Sequence, residues 1–326
     1  MAVAQSPWIF TAEAFEDTPS RQDGVDKAKE RQIRKSVCRM IEEVGRTVYP
    51  PMSVVATNSA KVFFHRVFMV QSLTRQDPKM AGITCLFVAC KSEECLRPLK
   101  RFIWALNTIE TDPVTGNAAY PFGRGKNPDR PAEIEEDTEA FQQLRNNILS
   151  MERVVLHVLG FEFMVDHPNA YFPRMLRFLN TVRKDKEQRS LITMDDDGRN
   201  SRESALGAEL LSFAHAMAND CNSTTLCLQF RGATLAACCL NLALKSKGFQ
   251  VLKMSKWVPM FQESCKGDPD PRFSVITISK EDVEEACSQL LDLYDEGAAK
   301  GPGAGATVVP TAPSAAPSGG GGAGGA

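Results

Sequence analysis

Long apolar runs are missing from this 326-residue sequence; the longest, around Thr234 to Leu244, is far short of a bilayer span. The N-terminus, MAVAQSPWIF, lacks the basic start and apolar core of a secretory signal, so an intracellular protein is expected. Charge of one sign is also missing. The formal net charge is −2 and the pI about 6.2, which gives no global pull toward nucleic acid or anionic membrane. Cysteine is not scarce, at ten residues, but no C-x-x-C pair occurs and His65, His157, His167 and His215 are scattered. Zinc spacing is therefore absent, and buried reduced thiols are expected. No Ser-His-Asp order or metal motif points to catalysis. GRGKN, at 123–127, departs from a phosphate loop at Tyr120 and Asn127. The acidic run at Asp195 and Asp197 has Thr193 and Ser204 where a calcium loop needs carboxylates. Sustained strand alternation is absent too, so the chain reads as all-α.

What is present is helical periodicity. Val37, Ile41 and Val44 keep one spacing, and Gly45 suits that helix's end. Ser53 is a candidate N-cap for a helix reaching Leu73, with Ala56, Ala60, Phe63, Val67 and Val70 as its apolar stripe. Asp77-Pro78 opens the next helix and Pro98 a shorter one. A further helix over about 135–159 carries the stripe Phe141, Leu144, Ile148, Met151, Val155 and Val158, and Gly160 ends it. After a short helix to Leu179, helical pattern resumes over about 203–219, 230–245, 253–264 and 281–294. Residues 110–133, with four prolines and three glycines, read as a long irregular insertion. Residues 183–202 read as a polar linker, and 299–326 as a Gly/Ala/Pro-rich tail that cannot bury a core.

The stretch Leu86 to Leu96, LFVACKSEECL, organises the rest. Met80 to Cys90 is apolar on nearly every side, as a fully buried helix is. Lys91, Glu93 and Glu94 then cluster where it ends, which by spacing alone is a solvated helix end. Leu86-Phe-Val-Ala89-Cys-Lys91-Ser92 recurs as Leu240-Asn-Leu-Ala243-Leu-Lys245-Ser246. Each copy closes an apolar helix that follows an amphipathic one. Two five-helix units, each wrapped round its third helix, are implied.

Several segments, in this order, carry a resemblance: WIFT…TPSRQDGVD near the start, FFHRVFMVQS at 63–72, LFVACKSEE at 86–94, SMERVVLHVLGFEF at 150–163 with DHP at 166–168, TTLCLQF at 224–230, and DVEEACSQLLDLYDEG at 282–297. Together they resemble the cyclin family, in its transcriptional branch, the K type first and the T type next. The resemblance implies an N-terminal arm (1–24), a first cyclin box (25–165), a second (166–298) and a disordered tail (299–326). It implies a nuclear regulatory subunit with no catalytic residue, metal or cofactor. Such a subunit forms a heterodimer with a transcriptional cyclin-dependent kinase, whose mobile helix it holds inward. Contact with nucleic acid or membrane is not expected. A promoter-binding initiation factor of the same fold is the alternative, but it wants a basic groove and a zinc ribbon.

The resemblance also carries positions. Lys91 matches the family's lysine at the end of the third helix, and Glu152, in Met151-Glu152-x-x-x-Leu156, matches its glutamate in the fifth. Both are expected to bind the kinase, with Glu94, Phe87 and Leu156 beside them. The mitotic M-R-A-I-L pattern is not present in KSVCRMIEEVG, so short-motif docking there is not expected.

Overall fold

Helix starts follow capping chemistry. Thr18, Asp26, Ser53 and Asp77 each accept an amide N–H from two or three residues on, opening α1 (Pro19–Gln22), α2 (Lys27–Thr47), α3 (Val54–Val70) and α4 (Pro78–Ser92). α5 (Leu99–Ile109) follows Pro98, and Thr138 caps α6 (Glu139–Leu159), which ends on Gly160 at φ +57°. α7 (Phe172–Val182), α8 (Ala205–Asn222), α9 (Leu226–Gln229), α10 (Gly232–Ser246), α11 (Met254–Cys265), α12 (Pro271–Ser274) and α13 (Lys280–Ala298) complete the order. This computed structural model describes residues 7–109, 136–182, 192–194, 201–203, 205–248 and 253–298. The 110–133 insertion, most of the 183–202 linker and the tail lie outside the described residues. No described helix is long and apolar enough to cross a membrane.

Two apolar cores form. The first gathers α2 to α6, with Trp8 from the N-terminal segment; the second gathers α7, α8, α10, α11 and α13. α4 is buried without a break from Ala81 to Cys90, and α10 from Gly232 to Leu244. Each is the third helix of its five. The L-x-x-A-x-K-S recurrence is reproduced in local geometry as well. Ser92 and Ser246 donate to the carbonyls of Ala89 and Ala243, and the next amides, Glu93 and Lys247, bond to the same two carbonyls.

Several expectations need correction. α3 is not amphipathic: every residue from Ala56 to Phe68 is buried, while Val70, assigned to the stripe, is 50% exposed. The cause is that α3 packs against α4 on one side and α8 and α9 of the second core on another. Gly45 does not end α2, which runs on to Thr47; a Cβ there would meet Thr57 Oγ1 at 2.9 Å, so this glycine permits close approach of α2 and α3. The N-terminal arm carries local helical structure, a 3₁₀ turn (Ala12–Phe15) and α1, that was not read from the sequence. The polar linker contains a short antiparallel pair, β1 (Ile192–Met194) and β2 (Ser201–Glu203), with Thr193 opposite Arg202. Three-residue strands are too short to show alternation. The single-turn helices α9 and α12 were likewise not read from periodicity. All ten cysteines are free thiols, and eight are buried.

The cores meet through polar groups on α3. Lys61, fully buried, donates to Glu42 Oε2 at 3.2 Å, Asn219 Oδ1 at 2.7 Å and Ser223 Oγ at 3.2 Å. At the N-terminal segment, the Phe10 amide donates to the Leu228 carbonyl at 2.8 Å. Asp166 and His167 carry the chain from one core to the other. The Asp166 carboxylate accepts the Gly232 amide at 2.9 Å, where α10 begins, and the Tyr171 hydroxyl at 2.7 Å.

Candidate functional site

α4 is apolar all round because it is enclosed on all sides, so its last turn has a fixed backbone where it reaches solvent. Lys91 stands on that turn. α6 packs its stripe on α4, and Glu152 lies one position beyond the buried Met151. The two charges, 61 residues apart in sequence, meet: Lys91 Nζ donates to Glu152 Oε1 at 2.6 Å. The ammonium also stands over the Phe87 ring, 4.1 Å from its centroid. Phe87 is 7% exposed and meets Phe102 of α5 edge-on at 5.5 Å, which fixes the surface under the lysine. The lysine side chain is 45% exposed and the glutamate 13%. Leu156, one turn after Glu152, is half-buried against the first core. Lys91, Glu152 and Phe87 thus form one contact group, and Leu156 borders it.

Glu93 and Glu94 part company. Glu93 turns inward and accepts the Ser59 hydroxyl at 2.6 Å. Glu94 is exposed and sits at φ +52°. Its counterpart in the second repeat, three residues after Lys245, is Gly248 at φ +75°. The left-handed conformation costs a side-chain-bearing residue roughly 1–2 kcal/mol, so the first repeat keeps a carboxylate where the second uses glycine. Glu94→Gly is expected to raise stability by up to ~1 kcal/mol, the gain being trimmed by glycine's unfolded-state entropy. Denaturant melts read this; a loss of stability would show that the turn does not strain Glu94.

Two exposed apolar side chains on the segment that follows α6 were not singled out from the sequence. After Gly160 the chain turns back, the Phe161 amide facing the Leu156 carbonyl at 3.4 Å. Phe161 is 68% exposed and Met164 81%. The segment is too short and irregular for periodicity to say which of Phe161, Phe163, Met164 and Val165 face out. Buried Arg66 of α3 pins it, donating to the carbonyls of Glu162 and Met164 at 2.9 Å each. Burial lowers the Arg66 guanidinium to about 10, which leaves it charged at neutral pH. Trp8 stacks on it, with Arg66 Cζ 5.2 Å from the ring centroid.

The assembled surface has an ammonium and a carboxylate side by side over Phe87, and exposed apolar groups follow on the segment after α6. It can bury one face of a partner helix and bond its backbone carbonyls and amides. Among the described residues no cluster of three His, Cys, Asp or Glu is set to hold a metal ion.

Comparison with known proteins bears on the same region. The family described as "Cyclin, N-terminal domain" matches residues 8–164. Cyclin-T1-5 of Arabidopsis thaliana is 30% identical over 292 residues, covering 89% of this chain and 41% of that relative. Human Cyclin-T2 is 27% identical over 249 residues, covering 76% of this chain and 28% of its own length. The chain therefore spans less than half the length of these relatives. A chain of the yeast RNA Pol II CTD kinase CTDK-1 complex has a similar fold, with a TM-score of 0.59 at 13% identity over 89% of this chain and 73% of that one. Both relatives are T-type, and the K-type likeness rests on the sequence motifs alone. Motif order, two similar helical cores and these likenesses lead to one assignment: the chain belongs to the cyclin family, in its transcriptional branch.

Proposed function

We propose that this chain is the regulatory subunit of a cyclin-dependent serine/threonine kinase, forms a heterodimer with it, and acts in the nucleus on RNA polymerase II transcription. The observation that carries this reading is the Lys91–Glu152 pair, closed at 2.6 Å at the surface with the ammonium over Phe87. The yeast complex with the similar fold is itself an RNA polymerase II CTD kinase, which supports the choice of kinase class. In this reading the chain carries out no chemistry. The partner's mobile helix lays its apolar face on Phe87, Leu156 and Phe161. Lys91 then bonds backbone carbonyls and Glu152 backbone amides of that helix, while Glu94 stands at the edge. Holding the helix inward completes the kinase's own lysine–glutamate pair and its ATP site.

Affinity purification of the full chain from cells, followed by mass spectrometry and a phosphorylation assay on the polymerase's C-terminal-domain peptide, tests the proposal. A cyclin-dependent kinase should co-purify with activity on the peptide. Recovery of no kinase, together with a promoter-DNA mobility shift by the pure chain, would turn the assignment to the initiation-factor alternative.

A further inference from the structure

The DHP stretch at 166–168 is used by none of the docking contacts, although it joins the two cores. Its histidine reaches back into the first core. His167 Nε2 lies 2.9 Å from Ser59 Oγ, and the same oxygen lies 2.6 Å from Glu93 Oε1. Ser59 is fully buried, so water does not compete for its hydroxyl. A serine has one proton to give. The short contact to a carboxylate takes it, so Ser59 Oγ must accept from His167, whose Nε2 therefore carries the hydrogen. Nδ1 is then the bare nitrogen; it is buried and has no hydrogen-bond partner. The relay is thus His167 N–H to Ser59 O–H to the Glu93 carboxylate, with every proton assigned.

Each end is anchored. Glu93 follows the last turn of α4, two residues after Lys91, and its amide bonds to the Ala89 carbonyl. The Cys95 amide, on the other side of Glu94, bonds to the Cys90 carbonyl at 3.0 Å. At the far end, neighbouring Asp166 holds the first amide of α10. Pro168 opens a 3₁₀ turn that packs on α10. The relay therefore runs from the central helix of the second core to the turn beside Lys91.

We propose that His167 and Ser59 are positioning residues for the docking rim: they hold Glu93, and through it the 93–96 turn that presents Glu94, so that the linker into the second core sets the geometry of the first core's partner surface. The link to partner binding rests on the kinase reading above; the link to the turn does not.

Three variants test it in the full chain: Ser59→Ala, His167→Leu and His167→Gln, with Lys91→Glu measured beside them. Glutamine keeps an N–H donor at the histidine's position, and leucine keeps bulk without one. Amide exchange at 93–95 reads the turn without any partner. Ser59→Ala and His167→Leu should speed that exchange by about tenfold or more, and His167→Gln should leave it near wild type. Affinity for the co-purified kinase should fall roughly 5–10-fold for the first two and recover for the third, as loss and replacement of one buried hydrogen bond would give. Unchanged exchange in correctly folded Ser59→Ala and His167→Leu overturns the relay. Faster exchange with wild-type kinase affinity overturns the positioning role, provided Lys91→Glu weakens binding. If Lys91→Glu also binds as wild type, the kinase-docking reading has failed, and with it the partner half of this proposal.

Discussion

Reversing either charge of the rim pair, as Lys91→Glu or Glu152→Lys, is expected to weaken kinase binding by ~30-fold or more. Removing one partner of a desolvated charged contact costs ~2–5 kcal/mol, whereas an ordinary exposed charge costs under about 0.5 kcal/mol. The pair also closes on itself at 2.6 Å, so each reversal sets like charges against each other at the rim. In the free chain that contact is worth little, because the lysine side chain is 45% exposed and screened by solvent. Melting temperatures should therefore change little while affinity collapses. Lys100 and Glu136, paired at 2.7 Å on an exposed surface, give the matched control, and their reversal should leave binding unchanged. Titration of purified kinase with each variant separates the outcomes. Wild-type activation by both Lys91→Glu and Glu152→Lys would remove these residues from the docking site.

The second large effect is expected at Lys61. Its ammonium is fully buried between the cores and satisfied by Glu42, Asn219 and Ser223. Lys61→Met keeps the stem but strips those partners of their donor, and is expected to cost ~2–4 kcal/mol, or roughly 5–10 °C in melting temperature. The size is held down by Glu42, whose side chain is 23% exposed and can take water. Adding Glu42→Gln should recover part of the loss, because no unpaired charge then remains. The contact also gives an acid dependence. Burial pushes the Glu42 carboxyl up, but the charge and hydrogen bond of Lys61, with Arg46 and Asn219, outweigh it and leave the group below its ordinary 4.5. A carboxyl depressed in the folded state stabilises above its unfolded pKa. That contribution is lost as pH falls below 4.5 through the folded value, and Lys61→Met should flatten this limb of the stability curve. A variant as stable as wild type would show that the cores do not depend on this contact.

How much of this was legible beforehand depends on the range of the forces involved. Caps at Ser53 and Asp77 and the stop at Gly160 were readable because each acts within a few residues. α4 was readable because a helix enclosed on all sides needs apolar residues on all sides. α3 was misread for the converse reason. Thr57, Asn58, Ser59, Lys61, His65 and Arg66 look like a solvated face, yet all are buried; Ser59, Lys61, His65 and Arg66 find partners in α2, the 162–167 segment and the second core. His65 shows the consequence: burial and the neighbouring Arg34 charge push it well below its usual 6.5, so it is neutral inside the protein. The Lys91–Glu152 meeting joins residues 61 positions apart, and only family resemblance brought them together in the sequence. Phe161 and Met164 escaped because exposure in an irregular turn leaves no periodic trace.

Amide hydrogen–deuterium exchange of the full chain, alone and saturated with its co-purifying kinase, tests the docking face most directly. Slowed exchange confined mainly to 87–96 and 152–164 is the predicted result. Protection that spares both segments and falls instead on α7 to α13 would contradict the account, whatever kinase is bound.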